Sequence, residues 1–405
     1  MPSPEPKTAL VIGGGIVGLS AALALQTRGM AVKIFDAPGP CPPASWGNAG
    51  HIATEQIEPL ASWSMVRALP RRLMVFGGPA SFPPGAITEW MPFGLRFLRA
   101  ARPATFSRGR HALSVLMSEA LPAWRRLMDS VGAHDLLRET GHIVAWESAA
   151  GAKAGRAGLS ACESPSVRFR DCLASEMDLL GASLRRAPHD AVRFEGTASV
   201  ADPGLVLNVL RTAFLDRDGT IESREATLAR VAQFGADLVV VAAGVRSRAL
   251  LRELGHKAPL IAERGYHIQS AETSWPEGLP PVVFEERSVV ATRFRSGLRA
   301  TSFVEFSTPY APHDARKWDR LKAHADALGL PFESHTQTWF GSRPTLPDYL
   351  PAIGRSARDS RVLYAFGHQH LGLTLGPATG EIVAALACGE LPPVILESFA
   401  IERFD

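Results

Sequence analysis

The sequence predicts an α/β fold built on a parallel sheet, because an apolar strand runs directly into glycines and a helix at three places. The first is the N-terminal stretch: Thr8 to Ile12 (TALVI), then GGGIVGLSAALALQTRG, then a second strand from Ala31 to Phe35 that ends at Asp36. The second is Asp237 to Val241 (DLVVV), followed by Ala242, Ala243 and Gly244. The third is Arg361 to Phe366 (RVLYAF), followed by GHQHLGLTLGPATG and a helix through about Cys388. Short apolar runs bounded by glycine read as buried parallel strands, and the helices between them as crossovers.

The first unit carries the most specific pattern, Gly13-x-Gly15-x-x-Gly18. Its glycines serve a tight turn, close approach of backbone to a pyrophosphate, and close packing of helix on strand. The helix opening at Ile16 and Val17 offers free N–H groups and the positive end of its dipole to phosphates. Asp36, about 20 residues on and followed by Ala37, stands where a carboxylate accepts ribose hydroxyls. Ala22, Leu25, Gly29 and Val32 supply the small and apolar positions that seat the helix. The chain is expected to bind a dinucleotide. Glycines at a strand end before the two later helices, at Ala243–Gly244 and Gly367–Gly372, mean close backbone approach there too. Three such places along one chain imply one long ligand across one sheet, and FAD is long enough to need all three.

Global properties narrow the class. A length of 405 residues suggests two or three domains, and 46% apolar with 20% charged residues is ordinary for a globular protein. No apolar run is long enough for a bilayer, and no signal peptide is expected, since residues 9 to 25 are strand and helix. Cys41, Cys162, Cys172 and Cys388 show no metal spacing and are expected to pack as small apolar residues in a reducing, cytoplasmic compartment. No metal site is expected. A net charge of +3 spread along the chain argues against nucleic acid as a partner.

Six segments, in order along nearly the whole chain, carry a family resemblance: VIGGGIVGLSAALALQTRGMAVKIFDA, ASWGNAGHI, GVRSR, ERGYHI, GSRPTLPDYLPAIG and GHQHLGLTLGPATG. Together they resemble the FAD-dependent D-amino acid oxidase superfamily, nearest its D-amino acid dehydrogenase branch. The resemblance implies a discontinuous FAD-binding, Rossmann-like domain interleaved with an α+β substrate domain whose antiparallel sheet lies over the flavin. Expected FAD-domain segments are 1–60, 190–250 and 340–405, with 61–189 and 251–339 forming the substrate domain. The helical stretch Ala112 to Ser130 and strands near Gly141–Trp146, Val282–Phe284 and Leu298–Phe306 fall in the latter.

The resemblance also implies roles. The loop ASWGNAGHIATE from Ala44 would lie along the pyrophosphate and reach the isoalloxazine ring. Ser45 would hydrogen-bond phosphate, Asn48 would belong to the cofactor site, and the amides of Gly50, His51 and Ile52 would sit beside the ring. His51 stays open among a flavin contact, a substrate contact, a covalent attachment point and a histidine bonded within its own turn. No cysteine lies in the C-terminal flavin loop, so FAD is expected to be non-covalent. Gly341, Gly367, His370, Gly372, Leu373 and Thr374 complete the expected cofactor set, and the amides of the last three would stabilise negative charge on the reduced ring. His368 and His370 could add to this or simply be solvated.

Chemistry points to Arg343, held between a short apolar strand and proline-fixed turns. A guanidinium binds a carboxylate through two parallel hydrogen bonds, and in similar enzymes the Arg of this motif holds the substrate carboxylate. The alternative is an ion pair with Asp348 or another acid. Tyr266 faces either substrate or core. A neutral amino acid held by its carboxylate can then give its Cα hydrogen as hydride to flavin N5, leaving an imine that hydrolyses to a keto acid; no base is required.

The stretch Pro59 to Ser118 holds eight arginines and one acid, Glu89, interleaved with aromatics. It reads as a Pro-rich excursion capping the substrate domain, with contact to an anionic inner membrane and its quinone pool as the alternative. The leading expectation is a D-amino acid dehydrogenase, with D-proline or hydroxy-D-proline as candidate substrates and a quinone or other acceptor. Alternatives are a sarcosine- or glycine-type amine oxidase using oxygen, and an FAD-binding electron-relay subunit of a heteromeric complex.

Overall fold

The structure is a computed structural model that describes residues 7–39, 43–161, 168–228, 235–332 and 335–405. Cys41 and Cys162 lie outside the described residues, while Cys172 and Cys388 are free thiols. Among the described residues the strands form three sheets.

The first has six strands in the order Thr220–Glu222, Ala31–Phe35, Thr8–Ile12, Leu238–Val241, Val362–Phe366, Ala352–Arg355. All neighbours are parallel except the last pair. All three strand–glycine–helix units predicted from sequence lie in this sheet, so their glycines gather at its carboxyl edge, where open α/β sheets bind ligands. The helix Ile16–Thr27 lies against Gly372–Ala387: a Cβ on Gly376 would meet Ile16, and one on Gly380 would fall 2.6 Å from Ser20 backbone. The equal steps make the two helices parallel, which brings both N-termini to the same edge.

The second sheet has nine strands. Its main path runs Gln337–Thr345, Ile261–Ser270, Gly297–Ser307, Val289–Phe294, Val282–Phe284, His142–Trp146, Asp190–Glu195, Arg168–Asp171. It is mostly antiparallel, with two parallel junctions: Val282–Phe284 beside His142–Trp146, and Ala80–Ser81 beside Gly297–Ser307. The strand Asp190–Glu195 pairs within this sheet, beside His142–Trp146. Gln337–Thr345 runs through the expected boundary at 340. A third, small sheet joins His51–Ile52, Ala198–Val200 and Leu137–Arg138.

The expected helical stretch Ala112 to Ser130 falls in two helices, Pro103–Ser118 and Ala120–Ser130. Pro122 has no N–H to donate to the carbonyl of Ser118, so the chain turns at Glu119, whose N–H bonds Leu116 O in the tighter i−3 pattern. The stretch 59–118 is more helical than its prolines suggest, with helices at Trp63–Arg72 and Ile87–Ala100 that contain Pro70 and Pro92. It packs on the larger sheet, where Phe82 stacks on Phe306 at 4.9 Å.

Candidate active site

A cavity of about 890 Å³ runs from the N-terminal glycine loop, between the two larger sheets, to Arg343. At one end Gly13 takes φ +115°, and a Cβ there would lie 2.4 Å from Ala242 O, so the turn tolerates no side chain. The Gly14 N–H donates to Asp36 Oδ1 at 3.0 Å, and Asp36, Ala37, Gly15, Ile16 and Val17 all border the cavity. Ser45 Oγ accepts from Ile16 N–H at 3.2 Å, which sets the hydroxyl at the helix N-terminus. Ala243, Gly244, Gly372 and Leu373 line the same space.

The loop after Ala44 is held from behind by the larger sheet, and its strongest tie was not foreseen. Arg299, fully buried in mid-strand, donates from Nη1 to the carbonyls of Trp46 (3.0 Å) and Asn48 (2.6 Å) and from Nε to Gln269 Oε1 (2.9 Å). Burial lowers its pKa to about 10. Thr292 Oγ1 donates to Ala49 O at 2.9 Å, and His267 Nδ1 lies 3.2 Å from Gly47 O. Asn48 lines the cavity, and its Oδ1 accepts from Gly50 N–H at 2.8 Å.

Several expected cofactor residues support the cavity without bordering it. Gly18 packs on the Gly13 carbonyl, Gly50 on Phe294, and Gly367 on Leu346. Gly341, like Gly47, makes room for the Trp339 ring, which lines the cavity and stacks on His267 at 4.9 Å. Ile52 is buried in the core, and Thr374 Oγ1 accepts from Ala53 N–H at 3.0 Å.

At the far end, Arg343 Nη1 donates to Glu263 Oε1 at 3.4 Å and to Phe303 O at 3.3 Å. Glu263 is buried, and its Oε2 also accepts from Thr345 Oγ1 and Tyr349 OH, each at 3.1 Å. Asp348 is committed elsewhere, to Arg403 at 2.7 Å. The contact between Arg343 and Glu263 is single and long, so it does not engage the guanidinium fork as a bidentate carboxylate would. The guanidinium lies over Gly265, where a Cβ would fall 2.2 Å from Nη2. Phe303, Gln369 and Ser288 line the cavity with positive φ although none is glycine. Such strained backbone gathers at functional sites.

Tyr266 is not in the cavity. Its ring packs against Trp318 and Phe340, and its hydroxyl donates to Glu305 Oε2 at 3.2 Å. The register explains this: Glu263 opposes Arg343, Gly265 opposes Gly341 and His267 opposes Trp339, so the odd positions face the cavity and Tyr266 the core. Glu263 is the residue of that segment which reasoning from sequence missed, and the same alternation identifies it.

His368 is buried and His370 half-buried, and both side chains are bonded within the protein. His368 bonds Thr379 Oγ1 at 3.0 Å, His370 bonds Gln56 Oε1, and burial lowers both pKa values to about 3. Both are therefore neutral and add no positive charge at the last helix. His51 borders the cavity, but its Nε2 points to Glu55, 3.8 Å from Oε2, and its ring lies 4.2 Å from that of His142. Burial lowers the pKa of His51 to about 4 and raises that of Glu55 to about 8.

Comparison with known proteins gives a consistent result. Residues 8–386 match the family described as FAD dependent oxidoreductase. The chain is 28% identical to a D-amino-acid oxidase of Bradyrhizobium diazoefficiens, covering 99% of this chain and 100% of the relative. It is 27% identical to D-amino acid dehydrogenase 2 of Ralstonia nicotianae, covering 97% and 99%. Among solved structures, it resembles iminodiacetate oxidase from Chelativorans sp. BNC1, with TM-score 0.71, 20% identity and 97% and 98% coverage. Glycine oxidase from Geobacillus kaustophilus is similar at TM-score 0.69, 17% identity and 98% coverage of each chain.

Proposed function

Because the chain belongs to the family of FAD-dependent oxidoreductases, we propose that it oxidises D-amino acids, with Arg343 as the clamp for the substrate carboxylate. The observation that carries this reading is one cavity joining the glycine loop and Asp36 to a guanidinium with no bidentate partner. FAD fits the near part: Gly13 offers bare backbone, two helix N-termini converge, and Asp36 stands at the second strand end. Bound there, FAD supplies the hydride acceptor, so that an amino acid becomes an imine and then, with water, a keto acid.

The chain's own residues bind and orient. Glu263 steadies Arg343 from the sheet side and leaves the rest of its fork for the substrate carboxylate. The clamp fixes where the carboxylate end of the substrate sits, and Phe303 and Trp339 exclude water around it. The units implied by this reading are an FAD-binding domain of about 1–60, 196–250 and 346–405 and a substrate domain from the rest. Purified protein should reduce an artificial dye with a D-amino acid; failure with every D-amino acid while FAD is retained would leave the electron-relay reading.

The FAD is held without a covalent bond, and wild-type protein should release it on acid precipitation. Asp36→Ala should weaken FAD binding to apoprotein by about 1.5–3 kcal/mol, since ribose hydroxyls lose a charged acceptor. An unchanged affinity by fluorescence titration would move the ribose elsewhere, and flavin retained in the acid pellet would contradict the non-covalent claim.

The electron acceptor is a quinone reached at an anionic membrane. Ile87, Met91, Leu95 and Leu98 form one exposed helical face, and Val75 and Phe76, earlier in the same excursion, are 82% and 73% exposed. Arg67, Arg71, Arg96, Arg99 and Arg102 of the same stretch are exposed too. Among the described residues no helix is long and apolar enough to cross a membrane. The protein should sediment with phosphatidylglycerol vesicles at low salt, and Phe76→Glu with Leu95→Glu should cut the bound fraction about tenfold. Equal sedimentation with neutral vesicles, or none, argues for a soluble acceptor, as would faster reoxidation by oxygen than by a quinone analogue.

A further inference from the structure

His51, Glu55 and His142 converge although the chain separates them, and a ligand atom of each lies within 4.8 Å of the others. His51 sits on the small sheet, Glu55 in the turn that follows, and His142 at the start of a strand in the nine-stranded sheet. His51 Nε2 is 3.8 Å from Glu55 Oε2, and His142 Nε2 is 3.9 Å from Glu55 Oε1. These separations are too long for hydrogen bonds. They are close to the ~3.4 Å between donors bound at ~2.1 Å around a tetrahedral ion.

Two further observations point to a ligand. His51 Nε2 and Glu55 Oε2 are buried and have no hydrogen-bond partner. Buried polar atoms left without a partner destabilise a fold, so their presence here points to a missing partner. His142 is also prepared on its far side: Nδ1 lies 3.0 Å from Thr197 Oγ1, and the ring stacks on Phe194 at 4.5 Å. This leaves Nε2 as the inward donor, the arrangement in which an outer partner orients a ligating imidazole.

We propose that His51, Glu55 and His142 bind one divalent transition-metal ion of the zinc class, tying the loop after Ile52 to the nine-stranded sheet. Two imidazoles and one carboxylate suit zinc rather than magnesium or calcium, which prefer all-oxygen sets. Three protein ligands leave the fourth position to water. Sequence spacing did not reveal the site, because His142 arrives from a strand 87 residues beyond Glu55.

The test uses the flavin-loaded enzyme, stripped with a chelator and titrated with zinc chloride against a chromophoric competitor. Wild type should bind about one equivalent, and the ion should raise its melting temperature. Glu55→Gln, nearly isosteric, should stay yellow and folded yet bind zinc at least about 100-fold more weakly; Thr197→Val should lose about tenfold. Absence of stoichiometric binding by wild type, or affinity unchanged in both Glu55→Gln and His142→Ala, overturns the site. Metal binding is read without turnover, so failure here leaves the role of Arg343 untouched.

Discussion

Arg343→Lys is expected to fold and stay yellow while its reduction by a D-amino acid slows by about 100-fold or more. The substitution keeps the charge and loses the planar fork. A lysine in its place can still pair with Glu263, which Arg343 meets through one contact at 3.4 Å. What it cannot do is hold a carboxylate by two parallel bonds, and a Cα–H misplaced by about 1 Å can alone cost roughly 100-fold. Stopped-flow reduction with a D-amino acid, beside an amine lacking the carboxylate, separates the cases. Equal losses on both substrates, or a variant that drops its FAD, would assign Arg343 to the scaffold.

Arg299→Met is expected to loosen the cofactor loop and lower FAD affinity at least about tenfold. Methionine can replace the apolar stem, but the carbonyls of Trp46 and Asn48 and the Gln269 amide lose their shared donor. Unsatisfied buried acceptors cost about 1–3 kcal/mol each. Removing a charge that burial already disfavours offsets part of this, and the net loss should be about 2–4 kcal/mol. Thermal melting and flavin retention on gel filtration are the readouts. A variant that melts with wild type and holds FAD equally well would show that Thr292 and His267 suffice to fix the loop.

The nucleotide half was legible because its signals are local. The strands Thr8–Ile12 and Ala31–Phe35 have the bounds expected from apolar runs, and Leu238–Val241 and Val362–Phe366 start one residue later than expected. Gly13, Ser45 and Asp36 follow from the turn and helix they sit on. The substrate half depends on which strand face is which, and that is set by pairing between distant segments. Reading Glu263 to His267 without its partner strand left Tyr266 a candidate; the register with Trp339 to Arg343 turns it into the core and brings Glu263 forward. The strand Asp190–Glu195 shows the same dependence, since its partners His142–Trp146 and Arg168–Asp171 lie well before it in the chain. Arg299 carried no sequence signal, because a lone arginine in a strand is usually solvated and only the fold brings two loop carbonyls to it. The histidines at 368 and 370 look like loop residues in sequence, and it is the packing around them that makes them neutral.

Anaerobic titration of the purified, FAD-loaded enzyme with D-amino acids, their L-enantiomers and N-methyl amines, followed at the flavin absorbance near the visible maximum, decides whether this protein oxidises D-amino acids. D-amino acids, with D-proline and hydroxy-D-proline among those tried, should bleach the flavin, and the L-enantiomers should do so little or not at all. Bleaching only by sarcosine-like amines, or by no amino acid at all while dithionite still reduces the flavin, would contradict the proposed oxidation of D-amino acids.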